Sequence, residues 1–357
     1  MATVKGFTAS VAVPEAMSRE KSGKFGKGPW KRTLIAARMI MFFFLYAFWP
    51  VFRRYLKPDI VFLVYGTDQD KRTYWPRWAE KLFRPVFPIG IIRFNGLWGF
   101  IGATLTSAED MDGDPKRSRQ LLEAARKEFP KARRFALAGR LPGFLRKAGE
   151  VVTDPFVEGQ HGTRFAMLQA ALALVAKAGI RPDEASIAIL GGAGYIGAKV
   201  VSDLASSFCQ IVAFDPRYAG ERRLVDNVLY TAMGVDIGGV DLALALTAQG
   251  DEVSSLVSHF TSGIQLADDT HPPIHREVRH RLHKKGVILW KATMADGALY
   301  MYPRLPNFRR DDVPGCLLEA LVVLLHGEQA LESQQSFNLA AERVGFRARL
   351  EIHSDDS

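Results

Sequence analysis

Residues 185–205 read ASIAILGGAGYIGAKVVSDLA, and they decide the fold. A short apolar strand, Ser186–Leu190, runs into Gly192-Ala193-Gly194-Tyr195-Ile196-Gly197 and then into an amphipathic helix. Strand, glycines and helix in this order suit a dinucleotide. Gly192 permits the tight turn, Gly194 lets the backbone approach a pyrophosphate, and Gly197 lets the helix pack on the strand, with backbone N–H groups aimed at the phosphates. A bare glycine fingerprint is a weak signal. Here a second strand, Gln210–Phe214, ends at Asp215, eighteen residues beyond Gly197, close to where a carboxylate accepts ribose hydroxyls. Asp215 repels the 2′-phosphate of NADPH, whereas Arg217 offers that phosphate a partner, so NADH and NADPH both stay open as the NAD(P)H cofactor.

Further alternation continues the sheet. Val240–Leu246, Gly263–Ala267 and Gly286–Trp290 each read as a strand, and ligands of such sheets bind at the carboxyl ends of strands. The expected fold is α/β: a Rossmann-type doubly wound parallel sheet with a smaller N-terminal α/β domain and an N-terminal membrane-associated helix. The expected boundaries are 1–57 for a basic tail and anchor, 58–163 for the N-terminal α/β domain, 164–312 for the Rossmann domain and 313–357 for a C-terminal helical segment. Within the second domain DIVFLVYG reads as a strand, residues 117–129 as an amphipathic helix and ARRFALAG as a strand ending at glycine. RFAMLQAALALVAKA, residues 164–178, is apolar on nearly every side and reads as a helix buried between layers.

Charge is unevenly placed. Residues 1–60 hold eleven Lys/Arg against Glu15, Glu20 and Asp59, a net +8 of the chain's +9. The remainder is nearly neutral, which argues against a nucleic-acid binder. Between basic clusters, residues 33–52 read TLIAARMIMFFFLYAFWPVF, long enough at ~1.5 Å per residue to reach across a ~30 Å hydrocarbon layer, although Arg38 must snorkel and Pro50 ends the run. Spanning and interfacial placements both fit, and the expected location is the cytoplasmic face of a membrane. Residues 116–147 carry eleven basic residues against Glu123 and Glu128. Cys209 and Cys316 lie far apart with no disulfide spacing, consistent with a reducing compartment, and no metal site is expected.

The reacting residue is sought in DDVPGCLLEALVVLLHGE. Pro314 suits the first turn of a leucine-rich helix, which puts Cys316 at the helix N-terminus, where unpaired N–H groups favour thiolate over thiol. A thiolate beside a reduced nicotinamide suggests acyl transfer to sulfur followed by hydride delivery. Cys209, just before the second strand of the sheet, reads as structural.

From about Phe94 to Leu350 the chain resembles the fatty-aldehyde-forming long-chain acyl-[acyl carrier protein] reductases of the cyanobacterial type. The blocks that carry the resemblance are GLWGFIGATLTSAED, ALAGRLPGF, EGQHGTRFAMLQA, GGAGYIG and GCLLEALVVLL with ERVGFRARL. The resemblance implies Cys316 as the acyl-accepting cysteine and Gly192, Gly194 and Gly197 as the cofactor loop. Two departures stand out: the family is usually soluble and NADPH-dependent, whereas this chain adds an apolar N-terminal segment and carries Asp215. His161 lies one position from the family's histidine, and His161 and His271 are both candidates for a general acid. The expected activity is reduction of a long-chain acyl thioester, from acyl carrier protein or coenzyme A, to an aldehyde, with membrane lipid as a further partner. The alternatives are a membrane-bound dehydrogenase acting on a lipid or polyketide-like carbonyl without a covalent intermediate, and a non-catalytic NAD(H)-sensing membrane protein.

Overall fold

The computed structural model describes residues 47–68, 71, 84–220, 222–295, 299–302 and 311–352. Chain contacts separate Met1–Ala47 from Phe48–Ser357, and the architecture is that of the second unit. Most of the apolar 33–52 segment lies outside the described residues, among which no helix is long and apolar enough to cross a membrane. Its last turn, 47–52, is helical. There Trp49 is buried edge-on against Phe100 and Phe129, with ring centroids at 5.3 and 5.2 Å, while Phe48, Val51 and Phe52 remain exposed.

The first sheet is built from β1 (Ile60–Val64), β2 (Val86–Phe94), β3 (Leu97–Thr104), β4 (Arg134–Leu137), β5 (Phe156–Val157) and β13 (Tyr300–Tyr302), in the order β13-β2-β3-β1-β4-β5. β1 runs parallel to both β3 and β4. β2 and β3 form a hairpin across Asn95-Gly96, whose φ angles of 45° and 81° are those a tight two-residue turn requires. Helices α1 (Ala108–Gly113), α2 (Lys116–Glu128) and α3 (Leu141–Lys147) complete this layer. α1 begins at a reciprocal cap between Ser107 and Asp110, and α2 buries Leu121 and Ala125 as its spacing predicts.

The second sheet holds β6 (Ser186–Leu190), β7 (Gln210–Phe214), β8 (Arg223–Val225), β9 (Val228–Thr231), β10 (Leu242–Ala245), β11 (Gln265–Asp268), β12 (Ile288–Ala295) and β14 (Asp312–Val313), with β15 (Arg347–Ile352) antiparallel on β12. Its parallel strands lie in the order β12-β11-β10-β6-β7-β9, which is the doubly wound order, and the strand order reverses at β6. β6 and β10 are buried at every position, as continuous apolar strands covered on both faces must be.

Helix α4 (Gln160–Ala178) lies between the sheets. Phe165, Ala170, Ala171 and Leu174 belong to one apolar core that also contains Ile60 and Phe62 of the first sheet and Ile187 and Ile189 of the second. α5 (Gly197–Leu204), α6 (Arg276–Lys284), α7 (Gly315–His326) and α8 (Gln334–Val344) follow. Two segments cross the expected boundaries. Tyr300–Tyr302, placed by sequence in the Rossmann domain, returns to pair with β2. Residues 347–352, placed in a helical tail, form β15. Strands this short carry too little alternation to be read without their neighbours.

Candidate functional site

The glycine turn after β6 is set by crowding. Gly191 takes the left-handed conformation at φ +94°, and a Cβ there would lie 2.8 Å from the Leu246 carbonyl oxygen. The tight turn expected at Gly192 therefore falls one residue earlier, and Gly192 instead packs on Ala213 of β7, where a Cβ would meet its neighbour at 3.0 Å. A Cβ on Gly197 would stand 2.1 Å from the Gly191 carbonyl oxygen, so only glycine lets α5 begin this close to the strand. Gly194, Tyr195, Ile196 and Gly197 line a cleft of about 1730 Å³, while Gly192 lies beneath them.

Asp215 is 3% exposed at the end of β7. Its Oδ1 accepts from the Arg217 N–H (3.0 Å) and Nε (2.9 Å); its Oδ2 accepts from the Ala193 N–H (3.1 Å) and Arg217 Nη2 (2.8 Å). Burial pushes this carboxyl up, but the Arg217 and Ala193 donors outweigh it and hold Asp215 below the usual carboxylate range. Tyr195 ties the turn to the first sheet's layer. The Arg146 guanidinium lies 3.6 Å over its ring, and its hydroxyl donates to Glu158 at 3.1 Å and contacts Gln160.

Cys316 lines the same cleft, half-buried in the first turn of α7, with Pro314 as the preceding cap residue. Two helix N-termini meet here through glycine. A Cβ on Gly159 would fall 2.4 Å from Cys316 Cα, and one on Gly162 would fall 2.0 Å from the Gly315 carbonyl oxygen. Glu319, one turn further along α7, accepts N–H groups from Gly159 (3.1 Å) and Gly162 (2.9 Å) and so caps α4 from outside. Burial drives the Glu319 carboxyl up to about 7 against these donors.

The expected depressed thiol is corrected. Burial pushes Cys316 up to about 11, even though N–H groups of Gly139 and Leu317 favour its thiolate; the Asp269 charge adds to the rise. The helix terminus supplies stabilisation, but loss of hydration exceeds it.

The loop Asp268–Pro273, at the carboxyl end of β11, lines the same cleft. Asp268 holds the loop by accepting from the Thr270 N–H (2.9 Å), Thr270 Oγ1 (2.6 Å) and the Ile274 N–H (2.9 Å). Burial, reinforced by Asp268 and opposed by Lys291, pushes Asp269 up to about 8. His271 lines the cleft and is exposed to it, yet the cost of placing charge among the surrounding protein holds its imidazole below the usual range. His161 does not reach the cleft. Its Nδ1 lies 3.0 Å from Gln334 Oε1, its ring packs on Phe337, and it lines a separate cavity behind α4. Burial lowers its pKa as well. Gly139, Asp269 and Tyr65 act electrostatically on the cysteine, and Glu319 meets it through Gly159; of these the sequence signals only Gly139, at the end of the strand ARRFALAG.

The basic 116–147 segment is largely compensated. Arg117 meets Asp110, Arg119 meets Glu123 and Glu150, Arg133 meets Asp59, Arg134 meets Asp154 and Glu328, Arg140 and Lys147 share Asp112, and Arg146 meets Glu158. Most of these carboxylates come from outside the segment, so the local excess seen in sequence is not a free charged face.

No protein-family model and no curated protein matches the chain. Among solved structures, L-tryptophan dehydrogenase from Nostoc punctiforme is similar over 80% of this chain and 81% of its own, with 12% identity and a TM-score of 0.40. A D-isomer specific 2-hydroxyacid dehydrogenase family protein from Klebsiella pneumoniae is similar over 77% of this chain and 95% of its own (14% identity, TM-score 0.33). The NAD-dependent formate dehydrogenase from Staphylococcus aureus, in complex with NAD, is similar over 45% of this chain, which spans 58% of that enzyme (14% identity, TM-score 0.31).

Proposed function

We propose that this chain is an NAD(P)H-dependent oxidoreductase that reduces an acyl thioester to an aldehyde through a thioester on Cys316. One observation carries the reading: the glycine turn at the switch point of the parallel sheet and the Cys316 helix N-terminus line the same cleft. The turn fits a dinucleotide on its own geometry. Gly194 keeps the backbone bare at the cleft, since a Cβ there would fill the space between the Gly191 carbonyl and Arg217 Nη2, at 3.0 and 3.7 Å. With Asp215 already holding four donor contacts and the Arg217 side chain 63% exposed, the pair suits the 2′-phosphate of NADPH better than a bare ribose.

Bound there, the reduced nicotinamide supplies a hydride. The residues of the chain do the rest. Cys316 gives up its proton to Asp269 in its ionised form, the minor form below about pH 8, a transfer from about 11 to about 8 that costs roughly 4 kcal/mol at ~1.4 kcal/mol per unit. The sulfur then attacks the thioester carbonyl, and the carrier thiol departs with the proton that Asp269 took from Cys316. Once the acyl carbon is reduced, Cys316 would leave as the thiolate, releasing aldehyde, and take up one proton from solvent. The net change is thioester, NAD(P)H and a proton to aldehyde, thiol and NAD(P)⁺. The resemblance to the acyl-[acyl carrier protein] reductases supports the thioester; acyl carrier protein or coenzyme A is the proposed donor.

The test is intact-mass analysis of the full-length protein with a long-chain acyl thioester, with and without NADH or NADPH. The expected result is an acyl adduct on the Cys316 peptide that disappears on adding reductant. Carbonyl reduction without any adduct would transfer the reading to the dehydrogenase alternative. The proposed site of action is a membrane surface, supported by the apolar 33–52 segment and the exposed Phe48, Val51 and Phe52. Full-length protein that fails to float with either neutral or anionic vesicles would remove that part.

A further inference from the structure

The geometry points to Tyr65 as a positioning residue for Cys316, acting through the Gly139–Arg140 turn. Tyr65 and Gly139 follow β1 and β4, neighbouring parallel strands, so both stand at carboxyl ends of the first sheet. The Tyr65 hydroxyl accepts the Arg140 N–H at 2.7 Å. Its ring is held edge-on by Phe144 at 6.0 Å. Gly139 takes a positive φ of +53°, and a Cβ on it would come within 3.0 Å of that same hydroxyl oxygen. The turn is thus pinned by one hydrogen bond on one side and, on the other, by a left-handed residue that leaves little room for a Cβ beneath the hydroxyl. Pinned this way, the turn lines the same cleft as Cys316, where the Gly139 N–H joins the Leu317 N–H of α7 in favouring the thiolate. The nucleophile's cradle is therefore shared: α7 brings the sulfur and one donor, and the first sheet brings the second donor, aimed by Tyr65.

This inference extends the reading of Cys316 as the nucleophile, yet its test needs neither acyl thioester nor cofactor. In a Cys209→Ser background, the rate of iodoacetamide alkylation at the Cys316 peptide is followed by mass spectrometry from pH 7 to pH 10. Tyr65→Phe keeps the ring and removes the acceptor. The expected result is alkylation about tenfold slower at each pH, one pK unit of lost thiolate stabilisation, with circular dichroism unchanged. Gly139→Ala disturbs the same turn with Tyr65 intact and is expected to slow alkylation in the same sense. Asp269 and Glu319 stay in place in both variants, so neither accounts for a shift. Profiles within twofold of the parent for folded Tyr65→Phe overturn the inference, and if that variant does not fold, an unshifted Gly139→Ala profile does so. A slowed profile in a protein that never forms an acyl adduct retains Tyr65's role and removes the proposed reaction instead.

Discussion

The glycine turn and the cysteine cradle share one cleft but are assembled in opposite ways. The turn comes from one unbroken stretch, β6 to Asp215, in which each glycine answers a contact made within that stretch or with the adjacent strand's end: Gly197 against Gly191, Gly192 against Ala213, Gly191 against Leu246. The cradle draws on Tyr65, Gly139, Gly159, Asp269, Cys316 and Glu319, spread over some 250 residues of chain. A local motif carries its own geometry wherever the fold places it. A cradle gathered from several distant segments takes its electrostatics from the fold, which is why the same helix terminus that favours a thiolate in isolation surrounds a thiol at about 11 here.

The largest expected effect separates the two regions outright. Cys316→Ala should abolish the acyl adduct and cut aldehyde formation by at least roughly 10³-fold, the scale of losing a nucleophile, while leaving nucleotide affinity within about twofold, measured by fluorescence titration. Nucleotide affinity falling alongside activity would mean that the turn and the cradle are not independent. The reciprocal change is Gly197→Ala. Its Cβ would stand 2.1 Å from the Gly191 carbonyl oxygen, so the turn must open. The expected outcome is nucleotide affinity weaker by about 10–100-fold and stability lower by ~1–3 kcal/mol, with acyl transfer to Cys316 retained in single-turnover mass analysis.

The contrast also explains what was legible beforehand. The sequence marks β6 and β7 at their true bounds and the helix at residues 164–178 as buried, because continuous apolar runs between turn signals report their own burial. The Asn95-Gly96 hairpin had a readable signal, the dipeptide itself, but lay in a stretch with no strong alternation. Cys316 was legible as a residue at a helix start; its environment was not, since Gly139 and Asp269 come from strands whose partners the sequence does not name. His161 and the arginines of 116–147 show the reverse error. Each looked available in its own window, but Gln334 engages the histidine and Asp59, Asp112 and Glu328 engage arginines from far along the chain.

A smaller effect sharpens the account of the turn. Arg217→Ala removes the side chain that pairs with Asp215 through both carboxylate oxygens. NADPH affinity should fall about 10–100-fold, as expected for ~1.5–3 kcal/mol from a hydrogen bond to a charged group, while NADH affinity should hold or improve because the carboxylate is freed for ribose. Equal losses for both nucleotides would mean that Arg217 holds Asp215 in place and does not read the phosphate.

The last effect is a pH dependence of stability that the cradle imposes and the turn does not. Glu319 has its folded pKa raised to about 7 from 4.5, and Asp269 to about 8 from 3.8. A carboxyl raised on folding is ionised first in the unfolded chain. Its contribution is therefore fully present below the unfolded value and is lost as pH climbs through the folded one. Asp215 in the turn has the opposite sign, since its pKa is lowered; its contribution is lost only in acid, below pH ~4. Between pH 5 and pH 8 the cradle governs, and the Glu319 share is on the order of 2–3 kcal/mol. The melting temperature should fall by several degrees across that window. Glu319→Gln cannot ionise, so its decline should be shallower, whatever it loses in absolute stability by giving up one of two acceptors. Parallel slopes in the two proteins would leave the decline to Asp269, and Asp269→Asn should then be the variant that flattens it.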